Sequence, residues 1–170
     1  MLKGGKYMKT IIVYYSLGGF TKKIAQKLAS KTGADLLRLT PVRDYPDTGA
    51  KKFLIGGRAA MAGAKPKLQH YTFNAEKYDR VVIGTPVWAS SPTPPIRTFI
   101  DENREALEGR QFAAFFTQLG NGADKANKKL AKCLGLERIE PETVFFEPNK
   151  KDPHKENEAK LGDFAAVLRR

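Results

Sequence analysis

Short apolar runs rich in β-branched residues alternate along this chain with stretches whose apolar residues recur at helical spacing. That alternation leaves few folds open. The first run, Thr10-Ile11-Ile12-Val13-Tyr14-Tyr15, is apolar at every other position and between, as a strand buried on both faces must be. Phe20, Ile24 and Leu28, with Ala25 and Ala29 beside them, then recur at helical spacing, and Gly33 suits the end of that helix. The same reading predicts strands at 34–39, 78–84, 112–116 and 142–146. Pro94-Pro95 fit a first helical turn and direct Ile96, Phe99 and Ile100 inward. A helix carrying Ala126, Leu130, Cys133 and Leu134 precedes the fifth strand. Asp152-Pro153 is expected to cap and start a last helix that buries Leu161, Phe164, Ala165 and Leu168. A helix is also required between strands two and three. Lys51 to Ala62 supplies Phe53, Leu54 and Ile55 for it, although Gly56-Gly57 weakens the pattern. Residues 63–77 read as a long, extended surface connection. Five strands with intervening helices imply an α/β fold, a doubly wound parallel sheet covered on both faces.

Ligands of such sheets sit at the carboxyl ends of the strands, where strand order reverses. The loops after strands one, three and four are expected to converge there, and each has unusual chemistry. The first, Tyr15-Ser16-Leu17-Gly18-Gly19-Phe20-Thr21, is a hydroxyl- and glycine-rich turn that opens a helix. Free amides and the dipole at a helix start favour an anion such as phosphate. Ser16 and Thr21 add hydroxyls, and Gly18 and Gly19 allow close backbone approach. The spacing is neither a dinucleotide fingerprint nor a P-loop.

The loop from Gly84 to Pro95 is stiffened by Pro86, Pro92, Pro94 and Pro95, and it carries the single tryptophan, Trp88. Taken alone, Trp88 reads as a core residue. Beside a phosphate turn, at the matching strand end, it reads as an indole offered to a flat aromatic ligand. The third loop contains Gly120-Asn121-Gly122, whose amides can hydrogen-bond a ring edge. Taken alone, that segment reads as a plain strand-to-helix turn.

Composition narrows the chemistry. The net charge of +12 points to an anionic partner or to a solvated basic surface. Its cations are dispersed as pairs such as Lys22-Lys23, Lys51-Lys52 and Lys128-Lys129, with no long basic block and no nucleic-acid motif. The single cysteine, Cys133, excludes an intrachain disulfide, fits a reducing cytoplasm, and reads as a small core residue of a helix. His70 and His154 stand in unrelated contexts, so no metal site is expected. No apolar stretch is long enough to span a membrane. Residues 1–8 lack the apolar core of a secretion signal and read as a short leader, open to disorder, before a single domain at 9–170.

On the segments Ile12 to Thr21, Gly84 to Ile100 and 117–123, the chain resembles the short-chain flavodoxin-like, FMN-binding family, from about Lys9 onward. The resemblance implies a five-stranded, three-layer fold with strand order 2-1-3-4-5 and one FMN bound non-covalently. It implies that Ser16, Gly18, Gly19, Phe20 and Thr21 hold the phosphate. Thr85, Pro86, Val87 and Trp88 are then expected to line the isoalloxazine, with Gly120, Asn121 and Gly122 closing its other side. Two departures stand out. Gly18 replaces a hydroxyl residue of the family's turn, and the third loop offers no aromatic side chain, which leaves one flavin face more open. The implied role is an FMN redox protein carrying electrons between a donor and an acceptor, protein or small molecule, with no catalytic acid or base required. An FMN-dependent NAD(P)H or quinone reductase is the alternative, and a non-redox basic binding module is a third reading.

Overall fold

The computed structural model describes residues 7–47 and 49–170. The first six residues of the expected leader lie outside the described residues, and so does the side chain of Phe53. Five strands form one parallel sheet: β1 (Thr10–Tyr14), β2 (Asp35–Arg38), β3 (Arg80–Trp88), β5 (Gln111–Gln118) and β6 (Glu142–Phe146), in the order β2-β1-β3-β5-β6. A two-residue strand, β4 (Ser91–Pro92), folds back antiparallel on the end of β3. With β4 set aside, the order is the expected 2-1-3-4-5.

The period-2 pattern of β1 sorts the two layers of core. Ile12 and Tyr14 face α1 (Phe20–Thr32) and α6 (Glu156–Leu168), which bury Ile24, Leu28, Leu161 and Phe164 against them. Ile11, Val13 and Tyr15 face the other layer, where α3 (Pro94–Glu102), the short α4 (Arg104–Leu107) and α5 (Ala123–Cys133) bury Ile96, Phe99, Ile100, Leu107, Ala126 and Leu130. Each fully buried Leu or Ile is worth about 1.5–3 kcal/mol, so these stripes hold the helices on the sheet. Cys133 packs, partly buried, against this second layer. Gly33 ends α1 in the left-handed conformation, φ 72°, as its place in the sequence requires.

In five places the structure departs from the sequence pattern. β3 continues past Gly84 because Thr85 and Pro86 still pair with Phe116 and Thr117 of β5, and reaches Trp88 because Val87 and Trp88 pair with Pro92 and Ser91 of β4. The remaining helix between strands two and three, α2 (Gly49–Met61), runs through Gly56-Gly57 unbroken. Leu54 and Ile55 of that helix are exposed rather than in the core. Residues 63–77 are not wholly a surface connection: Leu68 and Ala75 are buried, and Leu68 bridges to Pro41. Finally, Asp152-Pro153 does not start α6. Asp152 Oδ1 accepts the amide of His154, and His154 itself has a φ of 46°, so the helix begins only beyond it. Among the described residues, no helix is long and apolar enough to cross a membrane.

Candidate functional site

The loops after β1, β3 and β5 do converge. Together they line a cleft of about 290 Å³ at the carboxyl edge of the sheet, at the β1/β3 reversal. The first loop contributes Ser16, Leu17, Gly18, Phe20 and Thr21. Gly19 does not line the cleft. It is the N-cap of α1, at φ 92°, and its carbonyl accepts the amide of Lys23. No side chain caps this helix and no acid stands in its first turn. The amides of Phe20, Thr21 and Lys22 therefore lack intrahelical partners, and no acidic residue of the first turn offsets the positive end of the helix dipole. Ser16 is 1% exposed and its Oγ has no hydrogen-bond partner. Thr21 is also buried, and its hydroxyl shares a 2.7 Å hydrogen bond with that of Thr117, a neighbour in the cleft wall.

The second loop is a tight hairpin rather than a stiff open loop. Trp88 pairs with Ser91, leaving Ala89 and Ser90 as a two-residue turn with φ 48° and 53°. Two left-handed residues suit the twist of a hairpin, but neither is Gly or Asn, and each costs about 1–2 kcal/mol. Three contacts hold the hairpin in that shape. Thr85 Oγ1 accepts the amide of Thr93 at 3.1 Å, Lys129 donates to Ser91 Oγ at 2.7 Å, and Gly122, at φ 106°, lets Ser90 approach α5. Thr85 and Gly122 are thus braces of the hairpin and not cleft lining; Thr85 is fully buried.

Pro86, Val87, Trp88 and Ala89 form one apolar wall of the cleft. The Trp88 indole meets Tyr15 and Tyr45 edge-to-face, with centroids 5.7 and 5.1 Å away. A Cβ on Gly56 would lie 2.9 Å from the indole Cζ3, so α2 needs glycine there to rest on the ring. Tyr15 donates its phenol proton to Asp44 at 2.7 Å, and burial, reinforced by that carboxylate, raises the Tyr15 pKa strongly. The opposite wall is Gln118, Leu119, Gly120 and Asn121; it holds no aromatic side chain, and Leu119 is 52% exposed.

Several lining residues escape a reading by sequence. Lys52 and Gly57 arrive from α2 and Glu147 from the end of β6. The first two lie on a helix with no motif, and Glu147 follows a strand whose loop was not expected at the site. Among the described residues, no group of three or more His, Cys, Asp or Glu is placed to hold a metal.

An uncapped helix start beside an orphaned hydroxyl, at the strand-order reversal of a five-stranded parallel sheet, coincides with a match to the flavodoxin family over residues 9–152. The chain belongs to the flavodoxin family. Solved structures of flavodoxin-like chains share the fold. A flavoprotein of Lactobacillus acidophilus NCFM, crystallised in complex with FMN, is 24% identical, with a TM-score of 0.69 over 90% of this chain and 98% of that one. A provisionally assigned flavoprotein of Bacteroides eggerthii DSM 20697 is 22% identical, with a TM-score of 0.70 over 95% and 98%. The two-electron reduced flavodoxin of Megasphaera elsdenii is 15% identical, with a TM-score of 0.53 over 94% and 98%. Among curated proteins, none matches this flavodoxin sequence.

Proposed function

We propose that this chain binds FMN in the cleft and carries electrons between a donor and an acceptor. The observation that carries the reading is Ser16, a hydroxyl buried without a partner beside an uncapped helix start. A buried, unsatisfied hydroxyl costs about 1–3 kcal/mol, a cost that a phosphate oxygen accepted in the cleft removes. The residues present fit the cofactor. Ser16, Thr21 and the first-turn amides of α1 would hold the phosphate, with the Thr21 hydroxyl oriented by its hydrogen bond to Thr117. Pro86, Val87 and Trp88 would hold one side of the ring system, and Leu119, Gly120 and Asn121 the other. When bound, FMN supplies one- and two-electron transfer. The chain's own groups orient it, exclude water from the apolar wall and present backbone to the ring edge. The net charge of +12 favours an acidic redox partner.

The visible spectrum of the purified protein, with a fluorescence titration of cofactor-free protein, tests the proposal. Flavin absorption bands and saturable quenching of FMN fluorescence are expected. Folded apo-protein that leaves FMN fluorescence unquenched would refute it. The wall without an aromatic side chain, with Leu119 exposed, favours a second reading as an NAD(P)H or quinone reductase. Steady-state NADPH oxidation with a quinone, faster than with free FMN, separates that enzyme from the carrier.

A further inference from the structure

Gly18 has no side chain to offer an anion, yet the space above it is not bare. A Cβ built on Gly18 would have Lys52 Nζ at 3.8 Å and Asp47 Oδ1 at 3.6 Å as its nearest neighbours. Lys52 stands in the first turn of α2 and lines the same cleft as Ser16, Gly18 and Thr21. Its side chain is 26% exposed, so its charge is screened less than that of a surface lysine. Asp47, 53% exposed, lies 3.8 Å from the ammonium and tethers it over the turn. Arg38, from β2, donates to the Ser16 carbonyl at 3.4 Å on the same turn. Among the described residues, the carboxylate in the cleft lining is Glu147, at the end of β6.

We propose that Lys52 is a specificity determinant, an ammonium delivered by α2 that makes the cleft select a phosphorylated flavin over riboflavin. The inference rests on the FMN reading above and adds a residue and a discrimination to it. FMN and riboflavin share the ring that Trp88 faces. They differ in a phosphate carrying about −1.5 to −2 charges near neutral pH. Amides and hydroxyls at a helix start attract that group through partial charges. A tethered ammonium adds a full charge and a charge-assisted hydrogen bond, roughly twice as strong as a neutral one. Because Lys52 stands over the turn that would hold the phosphate, its contribution depends on the phosphate and not on the ring.

The test titrates wild type and Lys52→Met with FMN and, separately, with riboflavin, at low and high salt. The expected result is FMN binding weakened about tenfold, or about 1.4 kcal/mol, in Lys52→Met. Riboflavin affinity stays unchanged, and the salt dependence of FMN binding becomes shallower. Gly18→Thr in the Lys52→Met background is expected to regain part of the lost FMN affinity. Gly18 does not have a positive φ, and a Cβ there would meet Asp47 and the end of the Lys52 side chain, which Lys52→Met replaces, at ordinary van der Waals distance. Wild-type FMN affinity in Lys52→Met would overturn the proposal, as would equal losses for FMN and riboflavin. Wild-type protein that takes up neither flavin would overturn the cofactor reading and this inference with it.

Discussion

Gly56→Ala separates the intrinsic preference of α2 from its contact with Trp88. In an exposed helix interior, replacing Gly by Ala stabilises by about 1 kcal/mol, because Gly loses more backbone entropy on folding. At Gly56 the new methyl carbon would lie 2.9 Å from Cζ3 and 3.0 Å from Cε3 of the indole. Real Cβ contacts are not that short, so either α2 or the ring must shift. The ring has little room, with the edges of Tyr15 and Tyr45 against it. Overpacking of this kind costs about 1–3 kcal/mol. The two effects leave Gly56→Ala between neutral and about 2 kcal/mol less stable than wild type. Gly162, inside α6, is the control, since a Cβ there meets no atom within 4 Å. Gly162→Ala should therefore be more stable by the full propensity gain of about 1 kcal/mol. Urea unfolding followed by far-UV circular dichroism measures both. Tryptophan fluorescence of the folded state should change in Gly56→Ala alone, since Trp88 is the one tryptophan. Equal stabilisation of the two variants, with unchanged fluorescence, would refute the claim that the indole requires glycine at 56.

Gly84→Ala should destabilise by at least 1–3 kcal/mol, the ordinary range for overpacking, because its Cβ would come within 2.2 Å of the buried Phe115 ring; the urea midpoint reports it. Thr21→Val should weaken FMN more than Lys22→Ala does, since it removes a cleft hydroxyl and strands the buried Thr117 hydroxyl, at about 1–3 kcal/mol. Equal FMN affinities for these two variants and wild type would remove Thr21 from the site. Hydrogen bonds from Arg138 and then Lys128 hold the Asp124 carboxyl below its ordinary range. A depressed folded-state pKa contributes stability that is present above the unfolded value near 3.9 and lost as pH falls through the folded one. Asp124→Asn should accordingly flatten the fall in stability below about pH 4, and an unaltered acid limb of the stability curve would count against the network.

The central strands were legible because a buried parallel strand must be apolar over several consecutive residues, whatever its partners, and the part-exposed edge strands β2 and β6 still carry runs of apolar or β-branched residues. β6 is found where Glu142 to Phe146 predicts it, and β1 differs only in ending at Tyr14. Helix faces were legible for a related reason: Ile24 and Leu28, or Leu161 and Phe164, recur at the spacing that puts them on one side. The boundaries were less visible. β3 runs past Gly84 because β5 lies alongside to pair with it, and no residue between Thr85 and Trp88 announces that neighbour. The Gly56-Gly57 pair counts against a helix when propensity alone is weighed. In the fold the same pair is what lets α2 lie against Trp88 and the cleft.

The order of patterns along the chain was enough to establish a doubly wound sheet, the edge at which it opens, and the three loops that meet there. Those features follow from local periodicity and from the right-handedness of crossovers, which are properties of short stretches of chain. Packing alone decided which side chains fill the opening. Thr85 turned inward to brace a hairpin, Gly122 made way for Ser90, and Lys52 came to lie over Gly18 from a helix 34 residues further along. Contacts between segments so far apart depend on how whole helices sit on the sheet, and no local pattern of residues encodes that.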